Sequence, residues 1–183
     1  SDFNLLCLPS SNFPTFDDKF EEENIEIEKK KFLSLLNKTK ISISNDDTRH
    51  YLNGIYLHAT ESDKNTFLTG VATDSHRLSS SSILVKDIKS FSSIIIPRKT
   101  VFLLCSLLDN IEEKLIIQAS TTKIKFSLGK INLISKVIDG KFPDYQKVVP
   151  KENTKTLTVS SADFINSVER VASVSIDRKE GVK

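Results

Sequence analysis

The chain of 183 residues has no methionine, five glycines, five prolines, two cysteines and three histidines. Each scarcity excludes a class of chemistry. Five scattered glycines build no glycine-rich phosphate loop, and Gly129-Lys130-Ile131 lacks the other residues of a Walker motif. Two cysteines make no zinc site, and His50, His58 and His76 have no companions at metal-ligand spacing, so no metal and no cofactor is expected. No apolar run approaches the ~18–20 residues a membrane-spanning helix needs, and no signal peptide is visible; a cytoplasmic location is expected. Cys7 and Cys105 lie far apart in leucine-rich surroundings and read as buried free thiols of a reducing compartment, with a disulfide between them as the alternative. With no methionine, initiator included, the chain reads as a piece of a longer polypeptide.

What is present fits a globular protein with enough residues for a proper core: 38% hydrophobic and 27% charged side chains. The net charge of +2 is unevenly spread. Residues 1–96 hold 11 basic and 14 acidic side chains, and residues 97–183 hold 15 and 10. That polarity is too mild to identify a nucleic-acid partner by itself.

Hydrophobic periodicity shows a unit that recurs. Residues 24–28 alternate as a half-buried strand, and residues 29–40 switch to helical spacing with Phe32, Leu33, Leu35 and Leu36 apolar. The order returns at 93–97, followed by a helix over 98–109 with Val101, Phe102, Leu104, Cys105 and Leu108 on one stripe. It begins a third time at 156–159 and a helix over 161–173, with Ser161 as its expected cap. Phe32, Phe102 and Phe164 mark equivalent positions, 70 and 62 residues apart. Strands are expected at 51–59, 66–73, 78–85, 114–120, 123–128 and 131–137, with a tight hairpin at 128–131 in which Gly129 takes positive φ. The unit is β-α-β-β-β, complete twice, and the fold class is α+β. Residues 1–16 read as a last strand and linker from a preceding domain.

Four segments carry a resemblance to a known family: Arg49-His-Tyr-Leu-Asn-Gly54, Val71-Ala-Thr-Asp-Ser-His-Arg-Leu78, Ile94-Ile-Ile-Pro-Arg-Lys99 and Ile138-Asp-Gly-Lys-Phe-Pro-Asp-Tyr145. Together, in this order and spacing, they resemble the bacterial DNA polymerase III beta subunit, the sliding clamp, over essentially the whole chain. The resemblance implies a DNA-clamp fold divided as 1–21 (end of a first domain and linker), 22–152 (complete middle domain) and 153–183 (start of a third). It implies a head-to-tail homodimeric ring of similar domains around duplex DNA, with helices lining the hole and sheets outside. It further implies a processivity factor in DNA replication, whose partners are double-stranded DNA, the polymerase III catalytic subunit, the clamp loader, and other polymerases and repair proteins bearing clamp-binding peptides. Polymerase activity belongs to those partners.

Matched residue by residue, the resemblance puts Thr73, Ser75, His76, Arg77 and Leu78 on one wall of a peptide-binding cleft. Leu52 supplies apolar floor, and Pro143, Lys147 and Val148 the opposite rim. The chemistry suits an extended peptide, which needs apolar anchoring pockets and a few donors to fix its backbone. Ser75 stands where the family often has glycine, and Lys147 where arginine is common, which loses the planar guanidinium fork. Arg98 and Lys99 occupy the family's DNA-facing motif, and Arg49 and Tyr51 match residues near the duplex. Lys30 and Lys38 join them on helix geometry alone, against the plainer reading of a solvated helix face.

A rival reading is a hydrolase using Ser75 with His76, since Asp74 precedes and Ser79–Ser82 follow, against the plainer reading of a surface loop in which Asp74 and Ser75 form a turn. Neighbours along a strand point to opposite faces, and no Gly-x-Ser-x-Gly elbow or oxyanion element accompanies them. A stand-alone peptide-binding module without a ring is the third reading.

Overall fold

Alternating apolar residues build the strands, and apolar residues three and four apart build the helices. The computed structural model describes residues 2–13, 20, 24–62, 65–85, 88, 91–109 and 114–174. The chain divides into two units, Ser1–Phe142 and Pro143–Lys183.

In the first unit β1 (Ile25–Ile27), α1 (Lys29–Thr39), β2 (Gly54–Ser62), β3 (Asn65–Thr73) and β4 (Leu78–Val85) form one repeat. β5 (Ile94–Pro97), α2 (Arg98–Asp109), β6 (Leu115–Ala119), β7 (Lys123–Leu128) and β8 (Ile131–Lys136) form the next. The expected β-α-β-β-β order therefore holds for both. The β7–β8 turn is the expected tight hairpin, with Gly129 at φ 55° and Leu128 opposite Ile131.

Each repeat lends its first strand to the other. The sheets run β4-β3-β2-β5 and β1-β6-β7-β8, all pairs antiparallel. Ile25 lies opposite Ile117, and Ile55 opposite Ile96. This exchange ties the repeats into one domain, because neither sheet is complete without a strand from the other.

The helices present their apolar stripes inward. Phe32, Leu35 and Leu36 of α1 and Val101, Leu104, Cys105 and Leu108 of α2 join one core with Leu57, Leu68, Ile96, Leu115, Ile117 and Phe126. Phe32 meets Phe126 at 6.0 Å between ring centroids, linking α1 to the second sheet. The end of α1 is marked by Thr39, whose hydroxyl donates back to the Leu35 carbonyl at 2.8 Å. The first N–H of α2, on Arg98, donates to the Asn53 carbonyl at 3.0 Å.

Several expectations shift. Strand β2 starts at Gly54 rather than 51, because Asp47–Leu52 winds as 3-10 turns. Phe102 is 45% exposed and leaves the buried stripe; Val101 takes the place equivalent to Phe32. Lys40 and Arg98 instead lie 5.6 and 5.4 Å from the Phe102 ring centroid. Cys105 is buried but Cys7 is exposed, since residues 2–13 form no strand and bury none of their leucines. The rest of the expected 1–16 segment lies outside the described residues.

In the second unit residues 151–160 form no strand. Helix α3 (Ser161–Ala172) is capped by Ser160, not Ser161: the Ser160 Oγ accepts from the Asp163 N–H at 3.4 Å. Phe164, Ile165 and Val171 remain about half exposed.

Candidate peptide-binding and nucleic-acid surfaces

The β3–β4 connection holds five of the expected cleft residues on one turn and its flanks. Thr73 and Leu78 face each other as the last pair of the ladder. Between them Asp74 closes the turn: its Oδ1 accepts from the N–H groups of His76 and Arg77 at 3.0 Å each, and its Oδ2 pairs with Arg77 Nε at 3.0 Å. Thr73 Oγ1 accepts from the Ser75 N–H at 3.2 Å and donates to the Arg77 carbonyl at 2.8 Å. Burial raises the Asp74 pKa somewhat, but the N–H groups of Arg77 and His76 outweigh it and hold the carboxyl below its ordinary value. The turn exposes His76 and Arg77 and leaves Leu78 half-buried.

Ser75 adopts φ 76°, the left-handed region that glycine enters without cost. That explains physically why glycine suits this position. The Ser75 hydroxyl accepts from Arg49 Nη1 at 2.6 Å. Arg49 is also fixed on Asp46, with Nε and Nη2 each 3.0 Å from Oδ2. The hydroxyl and N–H of Thr48, together with Arg49, lower the Asp46 pKa.

Leu52 is buried at 2% exposure. Tyr51 is half-buried beside His50, whose Nε2 lies 3.1 Å from the Asp139 carbonyl. The segment before residue 143 is anchored by Ile138, whose N–H donates to the Ile95 carbonyl at 2.9 Å. Phe142 is buried and stacks on Tyr56 with centroids 4.8 Å apart. In the second unit Pro143, Lys147 and Val148 are all exposed; Lys147 pairs with Asp144 at 3.1 Å at the 3-10 turn Tyr145–Lys147.

Arg98 and Lys99 open α2 and are exposed, as are Lys30 and Lys38 on α1. Neither helix has an acidic residue in its first turn. Cations at the positive end of a helix dipole are locally unfavourable and welcome an anion. The turn expected at Asp74 and Ser75 is the one observed. Sequence reasoning missed Asp46 and Phe142 as residues that hold these surfaces; the spacing Asp46-x-x-Arg49 was a readable signal, and Phe142 lay inside a motif already singled out.

Ser75 and His76 do not assemble as a triad. The Ser75 hydroxyl is occupied by Arg49, and Asp74 spends both oxygens on the turn. Among the described residues no group of three or more His, Cys, Asp or Glu side chains could hold a metal ion, and no helix is long and apolar enough to cross a membrane.

The architecture is that of the sliding clamps. The structure superposes on the Caulobacter crescentus beta sliding clamp with a TM-score of 0.90 at 36% identity, over 93% of this chain and 46% of that one. It superposes on the Bartonella birtlesii sliding clamp bound to griselimycin with a TM-score of 0.87 at 40% identity, over 94% of this chain and 46% of that one. In sequence, residues 26–144 match the central domain of the DNA polymerase III beta subunit, and the chain belongs to that family. The beta sliding clamp of Caulobacter vibrioides is 37% identical over 184 residues, taking in 100% of this chain and 50% of that protein. The chain thus spans about half the length of the curated relatives it matches. These relatives lend the hydrolase reading no support.

Proposed function

We propose that the chain serves as a segment of a DNA sliding clamp. It contributes to a homodimeric ring around duplex DNA and tethers the replicative polymerase and other DNA-handling proteins by their peptides, in the cytoplasm and without catalysing a reaction itself. The polymerase III catalytic subunit, the clamp loader and repair proteins are the proposed partners. Residues 22–152 would supply the middle domain, between the end of a first and the start of a third.

The observation that carries this reading is the β3–β4 turn. It is bonded from within, yet it offers His76 and Arg77 to solvent at the end of the β3–β4 ladder. Leu52, Thr73, Ser75, His76, Arg77 and Leu78 would take the peptide in the first unit; the resemblance alone assigns Pro143, Lys147 and Val148, in the second unit, to peptide binding. Arg98, Lys99, Lys30 and Lys38 would meet phosphates, with Tyr51 near the duplex. The griselimycin-bound Bartonella clamp supports the existence of a ligand surface in this family.

The test is binding of a fluorescent peptide with an apolar end. His76→Ala and Leu78→Ala should each weaken it about tenfold to a hundredfold, the ~1–3 kcal/mol of a truncated anchor. Affinity unchanged in both variants would overturn the reading.

A further inference from the structure

The turn that presents His76 and Arg77 is held from outside as well as from within. Among the described residues, Arg49 reaches it across 26 positions of sequence and donates from Nη1 to Ser75 Oγ at 2.6 Å. Ser75 sits at φ 76°, where a serine pays a steric cost that a glycine does not. The hydroxyl that comes with that cost receives a short, charge-assisted hydrogen bond.

Arg49 is itself committed. Its Nε and Nη2 both lie 3.0 Å from Asp46 Oδ2, and its backbone breaks from the 3-10 run at φ −113°, ψ 57°. Asp46 is fixed in turn by the N–H and hydroxyl of Thr48 at 3.0 and 2.6 Å. One planar guanidinium thus joins the segment before Leu52 to the turn before Leu78. The rigid fork of arginine permits this, and the single ammonium of lysine does not. A side chain whose Nε, Nη1 and Nη2 are all engaged on protein acceptors is poorly placed to follow DNA phosphates.

We propose that Arg49 is a positioning residue of the peptide-binding turn, acting through Ser75, and not a DNA contact. The proposal rests on the peptide-binding reading above. Ser75 fixes the turn between Thr73 and Asp74 on one side and His76 and Arg77 on the other, so losing its outside anchor loosens both donors together.

The test combines Arg49→Gln, Ser75→Ala and the double variant, all in the 183-residue chain. Backbone 15N order parameters of residues 74–77 are measured without peptide, followed by affinity for the labelled apolar-ended peptide and for duplex DNA. Both single variants should lower the order parameters of 75–77 and weaken the peptide about three- to tenfold, with the double variant no worse than either single, as for one shared interaction. Ser75→Gly, free of backbone strain, should lose the same affinity because it also loses the hydroxyl. DNA affinity in Arg49→Gln should change less than about twofold.

Unchanged order parameters with additive losses of peptide affinity would overturn the proposal. So would DNA binding as impaired in Arg49→Gln as in Arg98→Gln. If the unaltered chain takes up no peptide, the function proposed above fails, and the order parameters alone decide the role of Arg49. Melting temperatures of all variants distinguish a loosened turn from an unfolded chain.

Discussion

His58 lies in β2 at 8% exposure, its ring stacked on Tyr56 at 4.7 Å between centroids. Burial disfavours the imidazolium and lowers the pKa from 6.5, against a smaller opposite pull from the Ala59 carbonyl. In the unfolded chain the ring regains its ordinary value. As pH falls below about 6.5 the unfolded state takes up a proton that the folded state refuses, so stability falls with pH until the lowered folded value is reached. Above that window the contribution is complete. Urea midpoints at pH 7.5, 6.5 and 5.5 should therefore decline in the unaltered chain and decline less in His58→Gln. Asp46 and Asp74, whose folded pKa values are lowered from 3.8, contribute stability that is lost only as pH falls below that value, so they do not mask the comparison. Equal slopes in the two proteins would show that His58 titrates alike in both states.

Strands β2 and β5 help to join the two repeats, and Gly54 opposite Pro97 lies at one end of their ladder. A Cβ there would stand 2.2 Å from the Ile96 carbonyl oxygen and 2.9 Å from its carbon. Those are backbone atoms of a paired strand, so the clash cannot be relieved by rotating a side chain. Gly54→Ala should destabilise the domain at the upper end of the ~1–3 kcal/mol typical of overpacking. At Gly70 the nearest atom to an added Cβ is Leu35 Cδ2 at 2.6 Å, the end of a flexible side chain, so Gly70→Ala should cost less. Chemical denaturation of the two variants checks the order. The expected bounds of α2 and of strands β4 and β7 match the observed ones, and β7 shows the reason most plainly, since Ile124, Phe126 and Leu128 alternate as its buried face. The exchange of β1 and β5 was not legible: two similar repeats offer the same pattern whichever partner each strand takes. Phe102 was assigned to the wrong face because Val101, Phe102 and Leu103 are consecutive, and a run of three apolar residues does not say which faces the core. At the site, the turn residues were legible from their motif. The left-handed φ of Ser75 and its bond to Arg49 were not, since both depend on chain segments that only folding brings together.

At the scale of the whole molecule, the question is how a nearly neutral chain would hold DNA without gripping it. The net charge is +2, so bulk attraction is weak and any affinity must come from a few placed cations. Arg98 and Lys99 stand at the start of α2, and Lys30 and Lys38 on the exposed side of α1, all in the first unit. Each cation that neutralises a phosphate releases counterions and adds about −0.9 to the slope of log affinity against log salt. Four such contacts give a slope of roughly −3.6, which lowers affinity about 150-fold between 50 and 200 mM salt. Contacts to phosphates alone carry no sequence preference, as sliding requires. The double variant Arg98→Gln, Lys99→Gln should therefore flatten the slope by about two, equally on unrelated duplex sequences. Fluorescence anisotropy of a labelled duplex across a salt series measures it. A slope unaltered by the double variant would remove the start of α2 from the DNA-facing surface, and a slope near zero in the unaltered chain would remove both helices.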